Sequence, residues 1–383
     1  MAYNKVIYGG KTLIDLSSAT ATADKILSGY TAYGKSGAKL TGTASAAGGA
    51  LVVTAPAGVT ASVTKGSKTE TKTVGTGGTA TFHGLEAGTW VVKIIRGSET
   101  ATKSVIIKTD YAVTLTFSTI PAFTYTGSFQ IVDDNDNPIT TSSGNWKIRF
   151  LTSGTLKFTD LRGAENGIDV FLAGGGGGGA AAGAGGRDAT YYRYGSGGGG
   201  GGYMKTSKNV SVSTSSSYTI TVGAGGAVGK DGGATTAFGS TANGGKGATS
   251  ANGGNGGSGG SAGTWAVVAG SVGGEDGSNG NVTGNNAKTP GTGIGSTTRE
   301  FGASGAKRYC AGGASGGGNG NGADNTGTPA HQGAVNSSGG GGYGNPAGPA
   351  NTGSGGAGGS ANGATVEQAG AGGSGIVVIR NKR

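Results

Sequence analysis

Cysteine is almost missing from this 383-residue chain: Cys310 stands alone, so no intrachain disulfide can form. Whatever stability the protein has must come from packing, assembly or both. Histidine is nearly as scarce, with His83 and His331 only, and no Cys/His group has the ligand spacing of a zinc-type site. No paired carboxylates share an expected surface, so the sequence offers no catalytic constellation and the expectation is a protein that is not an enzyme. No apolar run reaches the roughly 18 residues that a membrane-spanning helix needs. Met1-Ala-Tyr-Asn-Lys5 lacks the apolar stretch of a signal peptide, and no membrane insertion is expected. Charge is sparse at 13% of residues. The net +10 is spread evenly, with 14 bases and 9 acids in residues 1–150 and 15 and 10 thereafter. An even spread suits mild attraction to anionic glycans and gives nucleic acid no basic patch to grip.

Glycine is what the chain has instead. Only 21 of its 90 glycines precede residue 171, so the last 213 residues are about one-third glycine. Collagen has that content, but no Gly-X-Y period exists here and only Pro290, Pro329, Pro346 and Pro349 fall in the region. Two readings remain: a flexible low-complexity tract, or packed polyproline-II-like segments, with about three residues per turn, whose bare backbones bond side to side. The framing favours the second. Ile168–Ala173, Ser217–Val222 and Gly375–Arg380 read as apolar strands before, within and after the glycine runs. A linker has no use for a strand at its far end.

Ahead of that region the pattern is β throughout. Lys5–Tyr8 and Thr12–Leu16 read as strands about Gly9-Gly10, Thr22 as the cap of a helical turn over Ala23–Ser28, and Gly34 and Gly37 as a second hairpin turn. Gly29-Tyr-Thr-Ala-Tyr-Gly-Lys-Ser36 matches the phosphate-loop spacing. It lacks the preceding buried strand and following helix that make such a loop bind phosphate, so nucleotide binding is not expected. Residues 45–50 form a small-residue linker. Seven short runs between Leu51 and Phe117, spaced by glycine turns, predict a β-sandwich over 51–120. There Trp90 is a core residue and His83 a rim residue. Residues 127–170 read as a β-rich lead-in to the glycine-rich domain at 171–383. Within that lead-in, Asp133-Asp-Asn-Asp-Asn-Pro138 is either a calcium loop of clustered oxygen donors or an Asx-rich turn that needs no metal.

Phe82-His-Gly-Leu-Glu-Ala-Gly-Thr-Trp-Val-Val-Lys93 resembles the strand-turn-strand of carboxypeptidase-regulatory-like and collagen-adhesin B-type modules, an Ig-like or prealbumin-like spacer. Residues 133–138 are similar in their tail to the linker motif of cadherins. Most extensively, the chain resembles tailed-bacteriophage tail-fibre adhesins. Lys5-Val-Ile-Tyr-Gly-Gly10 and Lys25–Thr43 look like a module of phage tail proteins. Leu151-Thr-Ser-Gly-Thr-Leu156, Ile168-Asp-Val-Phe-Leu-Ala173 with its polyglycine sequel, and Gly372-Gly-Ser-Gly-Ile-Val-Val-Ile-Arg380 resemble the bounds of the glycine-rich fibre domain. The resemblance implies a mainly-β virion protein. Residues 1–44 would attach to other tail or baseplate proteins, and the chain would assemble as a homo-oligomer, a trimer. A polyglycine sandwich would bind a bacterial surface receptor, polysaccharide or protein, without cofactor or metal. It puts recognition on Tyr191, Tyr192, Arg193, Tyr194, Trp265, Tyr309, His331 and Tyr343. The alternative is a structural decoration of a phage head or tail that binds no receptor.

Overall fold

The computed structural model describes residues 4–26, 30–42, 49–97, 99–142, 144–181, 195–263, 271–282, 288–316, 347–362 and 365–383. It divides into two compact units, Met1–Phe117 and Ser118–Arg383. Among the described residues regular structure is almost wholly β, with only two single-turn 3-10 helices.

In the first unit, Lys5–Tyr8 pairs with Lys11–Asp15, and Thr31–Tyr33 with Lys39–Thr41. The expected helical turn shrinks to Ala23–Lys25, and the Thr22 side chain makes no capping hydrogen bond, which corrects its expected role. Lys35 and Ser36 sit in the turn of the second hairpin, so no helix N-terminus points at a phosphate there. From Leu51 onward seven strands fall into a four-stranded and a three-stranded sheet. Their inward residues make one core that includes Leu51, Val53, Phe82, Trp90, Ile94 and Ile107. Trp90 is buried as expected, and its indole N–H donates to the Glu86 carbonyl at 2.8 Å, which satisfies its one polar atom.

The second unit is organised by its last strand. Ile376–Asn381 lies between Lys147–Phe150 and Ile168–Ala173 at the centre of a five-stranded antiparallel sheet, with Phe129–Val132 and Met204–Val210 at the edges. Because side chains alternate across a strand, each strand feeds two cores. Val170, Leu172, Val377 and Ile379 face a cluster shared with the sheet of Ala122–Tyr125, Gly154–Asp160 and Ser217–Ile220. Phe171, Ala173, Ile376 and Val378 face Phe301, Tyr309 and Cys310. A strand buried on both faces explains the unbroken apolar run Ile376-Val-Val-Ile379.

Beyond Ala173 the chain leaves the sheet and the glycines pack against one another. Successive amides of 174–180 donate to three neighbours in rotation, all at 2.8–2.9 Å. Gly174, Gly177 and Ala180 bond to Tyr203, Gly200 and Gly197; Gly175 and Gly178 to Gly233 and Lys230; Gly176 and Gly179 to Gly373 and Gly370. Three further neighbours donate back: Gly226 and Gly229 to the Gly176 and Gly179 carbonyls, Gly245 and Ala248 to Gly175 and Gly178, and Gly356 and Gly359 to Gly177 and Ala180. A three-residue period with six surrounding segments is the geometry of a threefold extended helix in hexagonal packing. The segment 197–203 is enclosed in the same way by 174–180, 243–250, 254–257, 258–261, 313–316 and 353–356. This is the packed array, not a linker. It replaces apolar burial with lateral hydrogen bonds worth about 1 kcal/mol each net.

Glycine is obligatory here for lack of space. A Cβ on any of Gly174 through Gly179 would come within 3.0 Å of backbone atoms of another segment, again in rotation: Asn243 and Lys246, Ala224 and Ala227, Ser354 and Ala357.

Candidate functional site

The glycine segments run between two ends. At one, Gly174, Tyr203 and Gly375 pass directly into strands of the five-stranded sheet. At the other, the chain turns back through Val228-Gly229 and Ser250–Asn252, and most of the described residues that border 182–194, 264–270 and 317–346 gather around Ser196. The Ser196 hydroxyl donates to the Ala181 carbonyl at 2.6 Å, and its amide to Gly359. The Ser196 carbonyl accepts from Gly316 at 2.9 Å. Ser315 and Ser271 exchange hydrogen bonds, the Ser271 amide donating to the Ser315 hydroxyl at 2.8 Å. Gly263 bonds to Ala251 and packs against the Gly195 carbonyl so closely that no Cβ would fit. Gly348 is different: it bonds to Ala371 and lies against Ser354 and Gly373, level with Gly176, so the border at which 317–346 ends is nearer the sheet. Both borders of 182–194 and of 264–270, and the border at which 317–346 begins, thus come together at the end remote from the sheet.

Those three segments contain Tyr191, Tyr192, Arg193, Tyr194, Trp265, His331 and Tyr343, which lie outside the described residues. Tyr309 is different and is a correction. Its side chain is 1% exposed at the sheet end, with its ring centroid 5.2 Å from that of Phe171. The resemblance to tail-fibre adhesins puts it among the receptor-contacting residues. It is instead a core residue, because the segment 298–310 folds back over the outer face of the sheet. Phe301 is buried beside it, under the Arg380 guanidinium, which lies 4.0 Å from the ring centroid.

The same fold-back creates a buried charge cluster that sequence reading missed. Lys147 and Arg149 alternate with Ile148 and Phe150, a pattern that predicts solvent-facing cations. Both are buried, because Glu300, itself 3% exposed, sits over them. Glu300 Oε1 is 3.0 Å from Lys147 Nζ, and Oε2 is 3.4 Å from Arg149 Nη2 and accepts the Tyr309 hydroxyl at 3.0 Å. Burial and the adjoining Glu300 carboxylate push the Tyr309 hydroxyl well above its usual range, which keeps it a donor. Asp136 reaches the two cations from the other side. Burial pushes its carboxyl up, but the hydrogen bonds and charges of Arg149 and Lys147 outweigh that and hold it below the usual aspartate range.

The Asx-rich string is therefore committed to protein contacts. Asp133 accepts the Asn135 and Asn137 amides at 2.8 and 2.9 Å, Asp134 accepts Asn145 and Arg383, and Asp136 holds the cations. No group of three or more His, Cys, Asp or Glu side chains able to hold a metal occurs among the described residues. The Asn137 side chain, foremost, holds the Asp133 carboxyl below its usual range. Its stabilising effect is complete above the ordinary aspartate value of about 3.9 and is lost as pH falls through the lower folded value. Asp133→Ala is expected to lower the melting temperature at pH 7, with the gap from the parent protein narrowing at pH 2. Thermal melts at the two pH values check this.

In the first unit, the hairpin Lys5–Asp15 is exposed along both strands, Tyr8 by 78%, and with it Ile7, Leu13, Ile14, Tyr30 and Tyr33. An isolated two-stranded hairpin is at best marginally stable in water.

A family model described as a glycine-rich domain matches residues 151–382, well over half of the chain. The chain belongs to the glycine-rich domain family. The matched span of this domain runs from the lead-in strands to the closing strand, which agrees with a unit that needs both to shut. No curated protein matches. Among solved structures the chain is similar to the TIE protein of Bacillus anthracis, at 14% identity and a TM-score of 0.18 over 33% of this chain and 30% of that one. It spans less than a third of that protein's length. It is also similar to a DUF3823 family protein from Parabacteroides merdae, at 12% identity and a TM-score of 0.18, covering 53% of this chain and 99% of that one.

Proposed function

We propose that this protein is a phage tail-fibre or tail-tip adhesin, which carries out no reaction of its own. The observation that carries the reading is the convergence around Ser196 of both borders of 182–194 and of 264–270 with the border at which 317–346 begins. A rigid slab whose aromatic- and arginine-bearing segments all start from one end is suited to press several side chains on one surface. In this reading Tyr191, Tyr192, Arg193, Tyr194, Trp265, His331 and Tyr343 contact a bacterial surface polysaccharide or protein. Many weak contacts are then multiplied by the copies on one virion. Residues 1–44 dock to other tail or baseplate proteins, or to further copies of the chain in a trimer. The exposed apolar side chains of their hairpins support such a docking role.

The test is adsorption to host cells with the stretch Tyr191–Tyr194 replaced by serine in the full chain. A loss of at least tenfold is expected, with the melting temperature unchanged. Unchanged adsorption removes that segment from the contact surface. The second reading, a head or tail decoration, rests on the slab being a stiff solid in its own right. It requires that neither the parent protein nor the variant bind cells.

A further inference from the structure

The second unit has one more feature that the adhesin reading leaves unused. An open cleft of about 370 Å3 lies beside the edge strands Ala122–Tyr125 and Phe129–Val132, lined by Ile120, Pro121, Phe123, Phe129, Thr140 and Arg162, among others. Its walls are pinned from several directions. The Thr119 hydroxyl bonds to the Ser142 and Gly144 carbonyls at 3.0 and 2.7 Å. Gly163, at φ +66°, lies against the Thr119 carbonyl with no room for a Cβ, which brings Arg162 up to the segment 118–122. Phe123 and Phe129 meet edge to face with centroids 5.0 Å apart, and Phe129 remains 40% exposed although it belongs to a packed aromatic row with Tyr125 and Phe158. At the rim, Arg162 Nη2 lies 2.6 Å from Asp160 Oδ2, which fixes a guanidinium next to the aromatic wall.

We propose that this cleft binds a saccharide, taking one hexopyranose ring. Such a ring has an apolar face of C–H groups and a rim of hydroxyls. The C–H face fits against exposed Phe129 and half-buried Phe123, and the hydroxyls meet the Arg162 guanidinium as donor and the Thr140 hydroxyl as donor or acceptor. A fatty chain would set its methylene groups against the Arg162 guanidinium and the Thr140 hydroxyl, and it favours an enclosed tunnel over an open cleft. The volume is at the lower end of small-ligand sites, roughly 300–1,000 Å3, which suits one ring. The proposal goes beyond the adhesin reading and does not depend on it, because every residue of the cleft lies outside the glycine segments.

Saturation-transfer NMR on the full chain tests it, with methyl glucoside, methyl galactoside and N-acetylglucosamine as probes and hexanoate as the apolar comparator. Transfer to the ring C–H protons of at least one sugar is expected. It should fall at least fivefold in Phe129→Ser and in Arg162→Gln, with Arg162→Lys intermediate and hexanoate silent throughout. Circular dichroism confirms that each variant is folded, and a variant that is not is replaced by Thr140→Val. No transfer to any sugar, transfer that survives the substitutions, or transfer to hexanoate alone overturns the proposal. Because Tyr191–Tyr194 are intact in these variants, host-cell adsorption separates failure of the cleft from failure of the adhesin reading.

Discussion

Gly177→Ala is expected to unfold the second unit, or to cost it at least about 4 kcal/mol, which is beyond the ordinary range for one added methyl group. The new Cβ would fall on the Lys246 carbonyl and the Gly247 amide, both backbone, so no side-chain rotation can relieve the clash. Segment 174–180 must then shift, and it is bonded on all sides. Gly177 donates to Gly200 and accepts from Gly356, and its carbonyl also packs directly against the Cα of Gly199. Each buried backbone group left without a partner costs about 1–3 kcal/mol, and a shift large enough to admit a methyl group breaks at least two. Gly144→Ala is the control in the same unit. Nothing lies within 4 Å of a Cβ at that position, so the change should stay within about 0.5 kcal/mol. Urea melts of the two variants against the parent protein measure the difference.

Glu300→Ala is expected to cost about 3–5 kcal/mol, the range for removing one member of a buried ion pair. The loss is not that of three contacts alone. Lys147 and Arg149 would stay in the interior with only Asp136 to balance them, and the Tyr309 hydroxyl would lose its acceptor. Lys307 is close by, its ammonium pushed below the usual lysine range by burial and then by the Arg149 charge, so the site already holds excess positive charge. Glu300→Gln keeps an acceptor of the same shape and should lose less. Acid probes the cluster from the other side. The Asp136 carboxyl is held below its usual range, so its contribution is present above about pH 3.9 and disappears as pH falls through the folded value. Stability of the parent protein should therefore drop on acidification, and Asp136→Asn should flatten that drop. Denaturant melts between pH 2 and pH 7 check the sign.

Much of this fold is legible in the sequence because it rests on patterns of short range. The strands Leu51–Thr54 and Thr79–Phe82 fall where alternation and glycine turns put them. The terminal strand closes the second unit, as an apolar run at the end of a glycine tract requires. Polyglycine order is also readable, because those framing strands would be idle beside a coil. The pairing of segments within the array is not readable. Gly175 bonds to Gly233 and Gly176 to Gly373, yet neighbouring glycines carry no side chain that could encode a partner. Tyr309 is misjudged, and the buried position of Glu300 is missed, for a related reason. Periodicity shows which residues share a face, and it cannot show that a distant irregular segment will cover the face that alternation marks as exposed. Asp133–Asn137 remains ambiguous in sequence because carboxylates that hold a turn and carboxylates that hold calcium have the same spacing. Only the positions of Asn145, Lys147, Arg149 and Arg383 tell which partners they take.

Hydrogen–deuterium exchange across residues 171–383 bears most directly on the central claim, that bare backbone segments form a solid by bonding to one another. Amides of 174–180 and 197–203 are expected to exchange as slowly as those of Ile376–Asn381, since all three lie inside the same packed unit. Exchange of those glycine amides at the rate of an unfolded chain, with Ile376–Asn381 still protected, would contradict it.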